Sequence, residues 1–470
     1  MEKDTFRVAR SVLPFAPLVA ALALSLSYWP GLVTWDSVRQ YDQALSGEFD
    51  DWHPPLMEWI WRQFLPVMHG PAPMLGLQLG FYAAGFALLI LAAIRAGLRW
   101  RALAIGCCAL LPIPIALMGT IIKDSLMAGA LLCAAGLAAT AAWERTGARA
   151  GLFLRVAGLL LCLFAAALRF NAVPAILPIA IWLLPASLWK MRGRGAAGLI
   201  ALLAVLFAAM PLTNRLVGAK PSDVQLSLII FDLGGITEHT HENQFPPLGL
   251  KNPVAINHRC YVPARWDPYS WWVDPCPIIF EGVRESFARH HINPRLFWLR
   301  AILHHPVAYA EHRLAHWNIN ARFLVKDEIE RPVQVAAPPN DLGLGFTANS
   351  VVRIVDKVAV TSGSSPLGWP CVWMAMLAGL LWAAWGRRIP TAALVLAWSG
   401  LLYGLSYSVL SVASDLRYYL WTMVAGAIAL VLACPDLVGG RSGWFAPLAK
   451  LAAPPLLLAF LCIAARTGLA

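Results

Sequence analysis

Residues 34–56 read TWDSVRQYDQALSGEFDDWHPPL and follow directly on a long apolar run. Asp36, Asp42, Glu48, Asp50, Asp51 and His53 crowd into this stretch of a chain that is otherwise mostly apolar. Charged groups beside a bilayer are costly and persist where they have a task. The stretch therefore separates two kinds of material: apolar runs that set the fold, and a polar loop that is the first place to look for chemistry. Val38, Tyr41, Ala44 and Leu45 recur at helical spacing, so the loop is expected to be helical beyond Asp36.

Outward from this loop the sequence is a membrane sequence. Of 470 residues, 59% are apolar and 13% charged, and the mean hydropathy of +0.61 excludes a soluble domain. Apolar runs of bilayer length recur at 11–29, 74–94, 102–121, 125–143, 155–168, 171–189, 196–213, 366–386, 390–410, 418–434 and 449–466. The expectation is an all-α polytopic membrane protein of about eleven transmembrane helices. Tyr28-Trp29-Pro30 follows the first run where a small-residue cleavage site would stand, so a retained helix is expected rather than a signal peptide. Three regions follow: an N-terminal membrane module at 1–213 with a first outer loop at 30–73, an outer loop domain at 214–365, and C-terminal membrane helices at 366–470.

Loops on the side of the N-terminus carry Lys3, Arg7, Arg10, Arg95, Arg99, Arg101, Arg145, Arg149, Arg155, Lys190, Arg192, Arg194, Arg387, Arg388, Arg441 and Lys450. Only Glu2, Asp4, Glu144 and Asp436 oppose them, whereas the other side is near neutral. The formal charge of +11 is thus a positive-inside signal, with the N-terminus expected to be cytoplasmic. Nucleic acid is not an expected partner, because no soluble face gathers the basic residues. Seven of the nine cysteines lie in or beside apolar runs; Cys260 and Cys276, alone in the large outer loop, are expected to form a disulfide.

The second outer loop holds nine of the eleven His. Helices are expected from Ile279 to His290, Pro294 to His304 and Pro306 to Leu324, with 326–350 irregular. His239-Thr240-His241-Glu242 lacks a strict third partner for a metal and reads as a solvated loop. The aromatic run from Trp266 to Trp272 reads as a small loop core, with sugar stacking as the alternative.

The expected topology places five polar groups on one side of the membrane. They are the first loop, Lys123-Asp124-Ser125, Arg169-Phe170-Asn171, the second loop, and Asp415-Leu416-Arg417-Tyr418-Tyr419. Loops on the other side hold little except Arg and Lys, and this asymmetry points to one outward-facing site for an anionic ligand. Each motif also has a plain alternative. Asp124 and Ser125 would cap a helix, Arg169 would snorkel, Arg417 with Tyr418 and Tyr419 would form an interfacial belt, and Asp50-Asp51 would cap the start of a helix before Pro54.

Asp36, Tyr41, Gly47-Glu48 and His53-Pro54-Pro55-Leu56, followed by Trp59 and Trp61, together resemble the first outer loop of GT-C integral-membrane glycosyltransferases. That family includes the protein O-mannosyltransferases, the lipid A aminoarabinose transferases and bacterial relatives acting on lipopolysaccharide. Lys123-Asp124 and Arg417-Tyr418 resemble its outward junction motifs. Ser37 stands where family members often continue an acidic pair, and His53 stands where Lys is usual. The resemblance implies transfer of a sugar, with inversion, from a polyprenyl-phosphate carrier to a glycolipid or glycan acceptor at the outer face. It implies Asp36 as general base, Lys123, Arg169 and Arg417 as a phosphate clamp, and Asp124, His53, Asp51 and Tyr418 as substrate-binding residues. It leaves the use of a divalent cation open and names no other cofactor. Two other readings stand beside it. One is a polymerase or ligase of a lipid-linked glycan, with key groups in 284–322. The other is a non-enzymatic transporter of a lipid-linked precursor, which would want ionisable residues deep in spans that here have almost none.

Overall fold

In lipid an apolar run has one way to satisfy every backbone N–H and C=O by itself, and that is the α-helix. The computed structural model describes residues 12–142, 146–190, 192–271, 276–326, 331, 333–438 and 445–468. Of the residues weighed above, Glu2, Lys3, Asp4, Arg7, Arg10, Glu144, Arg145, Trp272 and Arg441 lie outside that description. Among the described residues seven helices are long and apolar enough to cross a membrane: Ala72–Arg95, Lys123–Ala141, Ala148–Leu168, Gly193–Leu216, Thr391–Leu410, Leu416–Leu437 and Phe445–Thr467. Arg99–Cys108 and Pro112–Gly119, bent by 57° at their junction, make an eighth if they form one span. Three shorter apolar helices, Leu13–Leu26, Val173–Leu183 and Pro370–Ala384, occupy the remaining expected positions. The count of eleven therefore mixes helices of crossing length with shorter ones, and proline explains two of the interruptions. Pro112 and Pro114 follow the bend, and Leu184 is extended before Pro185.

The chain separates into two compact units, one of Met1–Lys220, Arg331–Gly404 and Leu416–Ala459, the other of Pro221–Glu330, Leu405–Asp415 and Phe460–Ala470. In the first unit the order begins α1 (Ala16–Leu26), β1 (Leu32–Val33), α2 (Trp35–Ser46), α3 (Leu56–Phe64) and α4 (Ala72–Arg95). It continues with α5 (Arg99–Cys108), α6 (Pro112–Gly119), β2 (Thr120–Ile121), α7 (Lys123–Ala141) and α8 (Ala148–Leu168). β1 and β2 pair in parallel, Leu32 opposite Thr120 and Val33 opposite Ile121. Each two-residue strand runs straight into a helix, so the ladder sets the first turns of α2 and α7 side by side.

Local chemistry fixes that arrangement. Thr34 Oγ1 accepts from the Ser37 amide (3.3 Å) while Ser37 Oγ accepts from the Thr34 amide (3.0 Å), a reciprocal cap on α2. Ser37 Oγ also donates to the Ile121 carbonyl on β2, which ties the cap to the ladder. Gln78 of α4 donates to the carbonyls of Met118 (2.7 Å) and Thr120 (2.9 Å) and holds the same strand from the other side of the chain. Two glycines permit the close approach: a Cβ on Gly119 would lie 2.4 Å from the Tyr28 ring, and one on Gly85 of α4 would lie 2.6 Å from the Cys133 amide of α7.

The second unit contains the helices Gln225–Thr240, Pro253–Cys260, Phe280–Arg289, Pro294–His304 and Pro306–Asn320, the last three where the sequence placed them. Cys260 and Cys276 are disulfide-bonded. Trp266 is buried, its ring edge-on to Trp271 (6.3 Å) and Phe280 (6.1 Å), so the aromatic run forms a loop core. Asp232, fully buried, accepts from Trp298 Nε1 (2.8 Å) and faces His312 Nε2 (3.1 Å) and Arg313 (2.5 Å). A buried carboxylate with three donors is a satisfied structural centre. His239 faces Glu311 (3.6 Å), and His241 ends its helix in the left-handed region (φ 57°).

Ser37→Ala removes both the reciprocal cap and the bond to β2. It is expected to cost about 1–2 kcal/mol and to lower the thermal unfolding midpoint of the detergent-solubilised protein, whereas Ser37→Thr, which keeps the hydroxyl, is expected to recover part of the loss. Unchanged melting of Ser37→Ala would show that the ladder holds without its cap.

Candidate functional site

The two helix starts that the ladder aligns carry the site. Asp36 is the second residue of α2; Lys123 and Asp124 open α7. Each helix start presents the positive end of a dipole, which favours anions. Asp36 is about a quarter exposed on its side chain, and its Oδ2 is 3.0 Å from Arg417 Nη1. Its Oδ1 faces His53 Nε2 at 3.8 Å, too far for a hydrogen bond. His53 is buried, and its Nδ1 lies 2.7 Å from Lys123 Nζ. A charged ammonium only donates, so Nδ1 accepts and the ring proton sits on Nε2, towards Asp36.

Arg169 follows the last residue of α8 in extended backbone, which aims its side chain back across the site. It is buried, pairs with Asp124, and donates from Nε to Asn171 Oδ1 (3.1 Å). Tyr418 stands between the two arginines, 5.2 Å from Arg169 and 5.7 Å from Arg417. Thus Asp36, His53, Lys123 and Arg417 form one linked group, Asp124, Arg169 and Asn171 form another, and Tyr418 joins them. Among the described residues, neither Asp124 Oδ2 nor Asn171 Nδ2, both buried, has a hydrogen-bond partner. One accepts and the other donates, and a buried pair of this kind is what a polar ligand would complete.

Charge distribution sets the protonation states. Burial pushes the Asp36 carboxyl up, but the cations of Arg417 and, further off, Lys123 outweigh it and hold it well below the usual carboxylate range. For His53 burial comes first and the Lys123 cation second; both disfavour imidazolium, and the ring is pushed down to about 3. Asp36 is therefore a carboxylate, and His53 a neutral imidazole, across the physiological range.

The remaining residues singled out in the sequence have other places. Asp50 is structural: it pairs with Arg39 (2.6 Å) and its Oδ1 accepts from the Trp52 amide (3.0 Å). Asp51 is placed by a backbone ladder, its amide donating to the Lys220 carbonyl (3.1 Å). Tyr41 packs at a tilt against buried Trp61 (ring centroids 5.0 Å apart) and its hydroxyl accepts from the Gly70 amide (2.8 Å), so this pair braces the loop. Sequence reading missed Glu58. It is fully buried on α3, accepts from Gln40 Nε2 (3.1 Å), and burial pushes its carboxyl up to about 8. Gln40 lies one helical turn beyond Asp36 on α2, so Glu58 braces the helix that presents Asp36. Its signal was faint: one acid on the apolar side of a short amphipathic helix.

A divalent cation does not fit this donor set. Among the described residues no three His, Cys, Asp or Glu side chains cluster to hold an ion. Asp36 already faces Arg417 and Lys123, and Asp124 faces Arg169.

No family profile matches the chain, and no curated protein does. Among solved structures it is similar to ArnT from Cupriavidus metallidurans in the apo state, with 14% identity over 92% of this chain and 77% of that one at a TM-score of 0.35. It is similar to the same protein bound to undecaprenyl phosphate, with 15% identity over 90% of this chain and 77% of that one at a TM-score of 0.33. A third likeness is to the archaeal oligosaccharyltransferase AglB from Archaeoglobus fulgidus in complex with an inhibitory peptide and a dolichol-phosphate. There 97% of this chain covers 56% of that one at 12% identity and a TM-score of 0.38. At these TM-scores the likeness transfers no role to any residue.

The neutral state of His53 has a pH signature. Between about 3 and 6.5 the unfolded chain binds a proton that the folded site refuses, so stability rises with pH across that window and is lost on acidification. Thermal midpoints measured from pH 7 downward are expected to fall more steeply for the native protein than for His53→Gln. Parallel curves would show that the site does not hold His53 neutral.

Proposed function

We propose that this chain is a GT-C-type membrane glycosyltransferase that moves a sugar from a polyprenyl-phosphate donor to a glycolipid or glycan acceptor. We place the reaction on the outer side of a bacterial inner membrane, with the N-terminus cytoplasmic. The observation that carries the reading is the linked group of one carboxylate, Asp36, with Arg417 at 3.0 Å and Lys123 one imidazole away, beside a second arginine across Tyr418. The sequence resemblance of the first loop supports it.

The chemistry follows from the charges. A carboxylate held by Arg417 is a poor base. A donor phosphate is an alternative partner for Arg417 and Lys123, and its arrival weakens their hold on Asp36 and restores the carboxylate's basicity. The acceptor hydroxyl then passes its proton to Asp36. Its oxygen forms the new bond to the anomeric carbon from the face opposite the breaking carbon–phosphate-oxygen bond, and the configuration inverts. The departing polyprenyl phosphate keeps the electron pair, and the cations and the two helix starts stabilise its charge. Arg suits this role better than Lys where two oxygens are gripped together. Asp124 Oδ2 and Asn171 Nδ2 are placed to bind sugar hydroxyls, and neutral His53 keeps Lys123 oriented.

The decisive comparison is the glycolipid profile of a deletion strain against the same strain carrying Asp36→Asn. The variant is nearly isosteric and is expected to insert and fold normally yet match the deletion. Arg417→Ala, Arg169→Ala and Lys123→Ala are each expected to lower donor use about ten- to a hundredfold, since a charge-assisted contact contributes about 1.5–3 kcal/mol. Near-normal transfer by Asp36→Asn, with losses confined to substitutions in 284–322, would instead favour a polymerase or ligase. Normal glycan composition with precursor stranded on one leaflet would favour a transporter.

A further inference from the structure

The second unit has an outward face that the proposed reaction does not use. On the helix Pro294–His304, Trp298 donates inward to Asp232, Ala301 is buried, and Phe297 packs edge-on against Phe287 at 5.5 Å. These contacts fix which way the helix faces. Leu296, Leu299 and Leu303, three and seven residues apart, then share the opposite side and are 55%, 46% and 68% exposed. Val307, 69% exposed, continues the apolar surface onto the helix Pro306–Asn320.

Two observations identify what covers this face. The first is charge. From 286 to 310 the sequence carries Arg289, Arg295, Arg300 and four His without one acidic residue, and Arg295 and Arg300 flank the leucines. A leucine stripe bordered by arginine is the pattern of a helix lying in a membrane interface. The second is position within the unit. Arg313, on the helix Pro306–Asn320, donates to the Ser411 carbonyl (2.7 Å), just past the end of the spanning helix Thr391–Leu410. The carbonyls of Arg322 and Phe323, just past the same helix, accept from Arg466 (2.9 and 3.1 Å) near the end of the spanning helix Phe445–Thr467. One span, Leu416–Leu437, lies between those two, so both end on the same side of the membrane. A helix tied to two span ends lies at the level of the bilayer surface.

We propose that Leu296, Leu299, Leu303 and Val307 rest in the lipid interface, with headgroup phosphates as the ligands of Arg295 and Arg300. The inference is independent of the glycosyltransferase reading. It is tested with full-length protein in nanodiscs of phosphatidylcholine and phosphatidylglycerol, sized to hold one copy. Leu299→Cys and Leu303→Cys are treated with a membrane-impermeant maleimide, with exposed Lys251→Cys as the water-facing control. Cysteines seated among acyl chains should label at least about tenfold more slowly than the control and label fully after denaturation in SDS. Labelling at the control rate means a wet face and overturns the proposal. Protection found only in discs holding two copies assigns the face to a second chain and overturns it equally.

Discussion

Everything in the candidate site depends on a parallel ladder of two residues against two. Leu32 and Val33 pair with Thr120 and Ile121, and each strand leads into a helix. The ladder contributes little stability of its own; its value is registration. It brings Asp36, seventeen residues before His53 in the chain, into reach of the Lys123 end of α7 through that histidine. Buried Ser37 serves the ladder twice, capping α2 and bonding β2. That explains the departure noted in the sequence. An acid at this position would leave a buried carboxylate facing the Ile121 carbonyl, two acceptors with no proton between them, which is costly.

The site is short of negative charge. One partly exposed carboxylate faces an arginine and, across an imidazole, a lysine, and the second carboxylate is spent on Arg169. Two helix starts add to the positive potential. Such a centre is organised for an anion before one arrives, so the ligand need not reorganise it. His53 in place of a lysine moderates the excess: a neutral ring between Lys123 and Asp36 carries orientation without a further cation, and burial keeps it neutral.

Much of this was legible in the sequence because topology did the sorting. Asp36, Lys123, Arg169 and Arg417 lie far apart along the chain, yet counting spans put all of them on one expected side, and the structure brings Arg417 to Asp36, Lys123 to His53, and both arginines to Tyr418. Three helices of the second unit, at 280–289, 294–304 and 306–320, and its cysteine pair were also open to reading, whereas Gln225–Thr240 and Pro253–Cys260 were not, and His239 and Thr240, read as loop, close the first of these. Other features had no sequence signal of useful size. Two-residue strands are too short to show a period of two. Asp50 and Asp51 look alike in sequence, yet Asp50 is fixed by Arg39 and Asp51 by a backbone partner at Lys220. Glu58 is a single acid on a short amphipathic helix, and only three-dimensional packing buries it under Gln40. Hydropathy finds apolar runs but not their usable lengths, because prolines such as Pro112 and Pro185 cut helices inside them.

On the proposed reading, the pairing of Asp36 with Arg417 is also a safeguard. A base standing ready beside an activated sugar donor would activate water as easily as an acceptor hydroxyl. Here the carboxylate is quenched by the cations that the donor phosphate must engage, so basicity develops only as the phosphate takes them over. Phosphate binding and base activation become one event, coupled through shared ion pairs rather than through movement of the backbone. The coupling needs Asp36 and the phosphate to compete for the same guanidinium. That in turn needs α2, α7 and Arg417 held in fixed register, and the short ladder with its Ser37 cap supplies the register for α2 and α7.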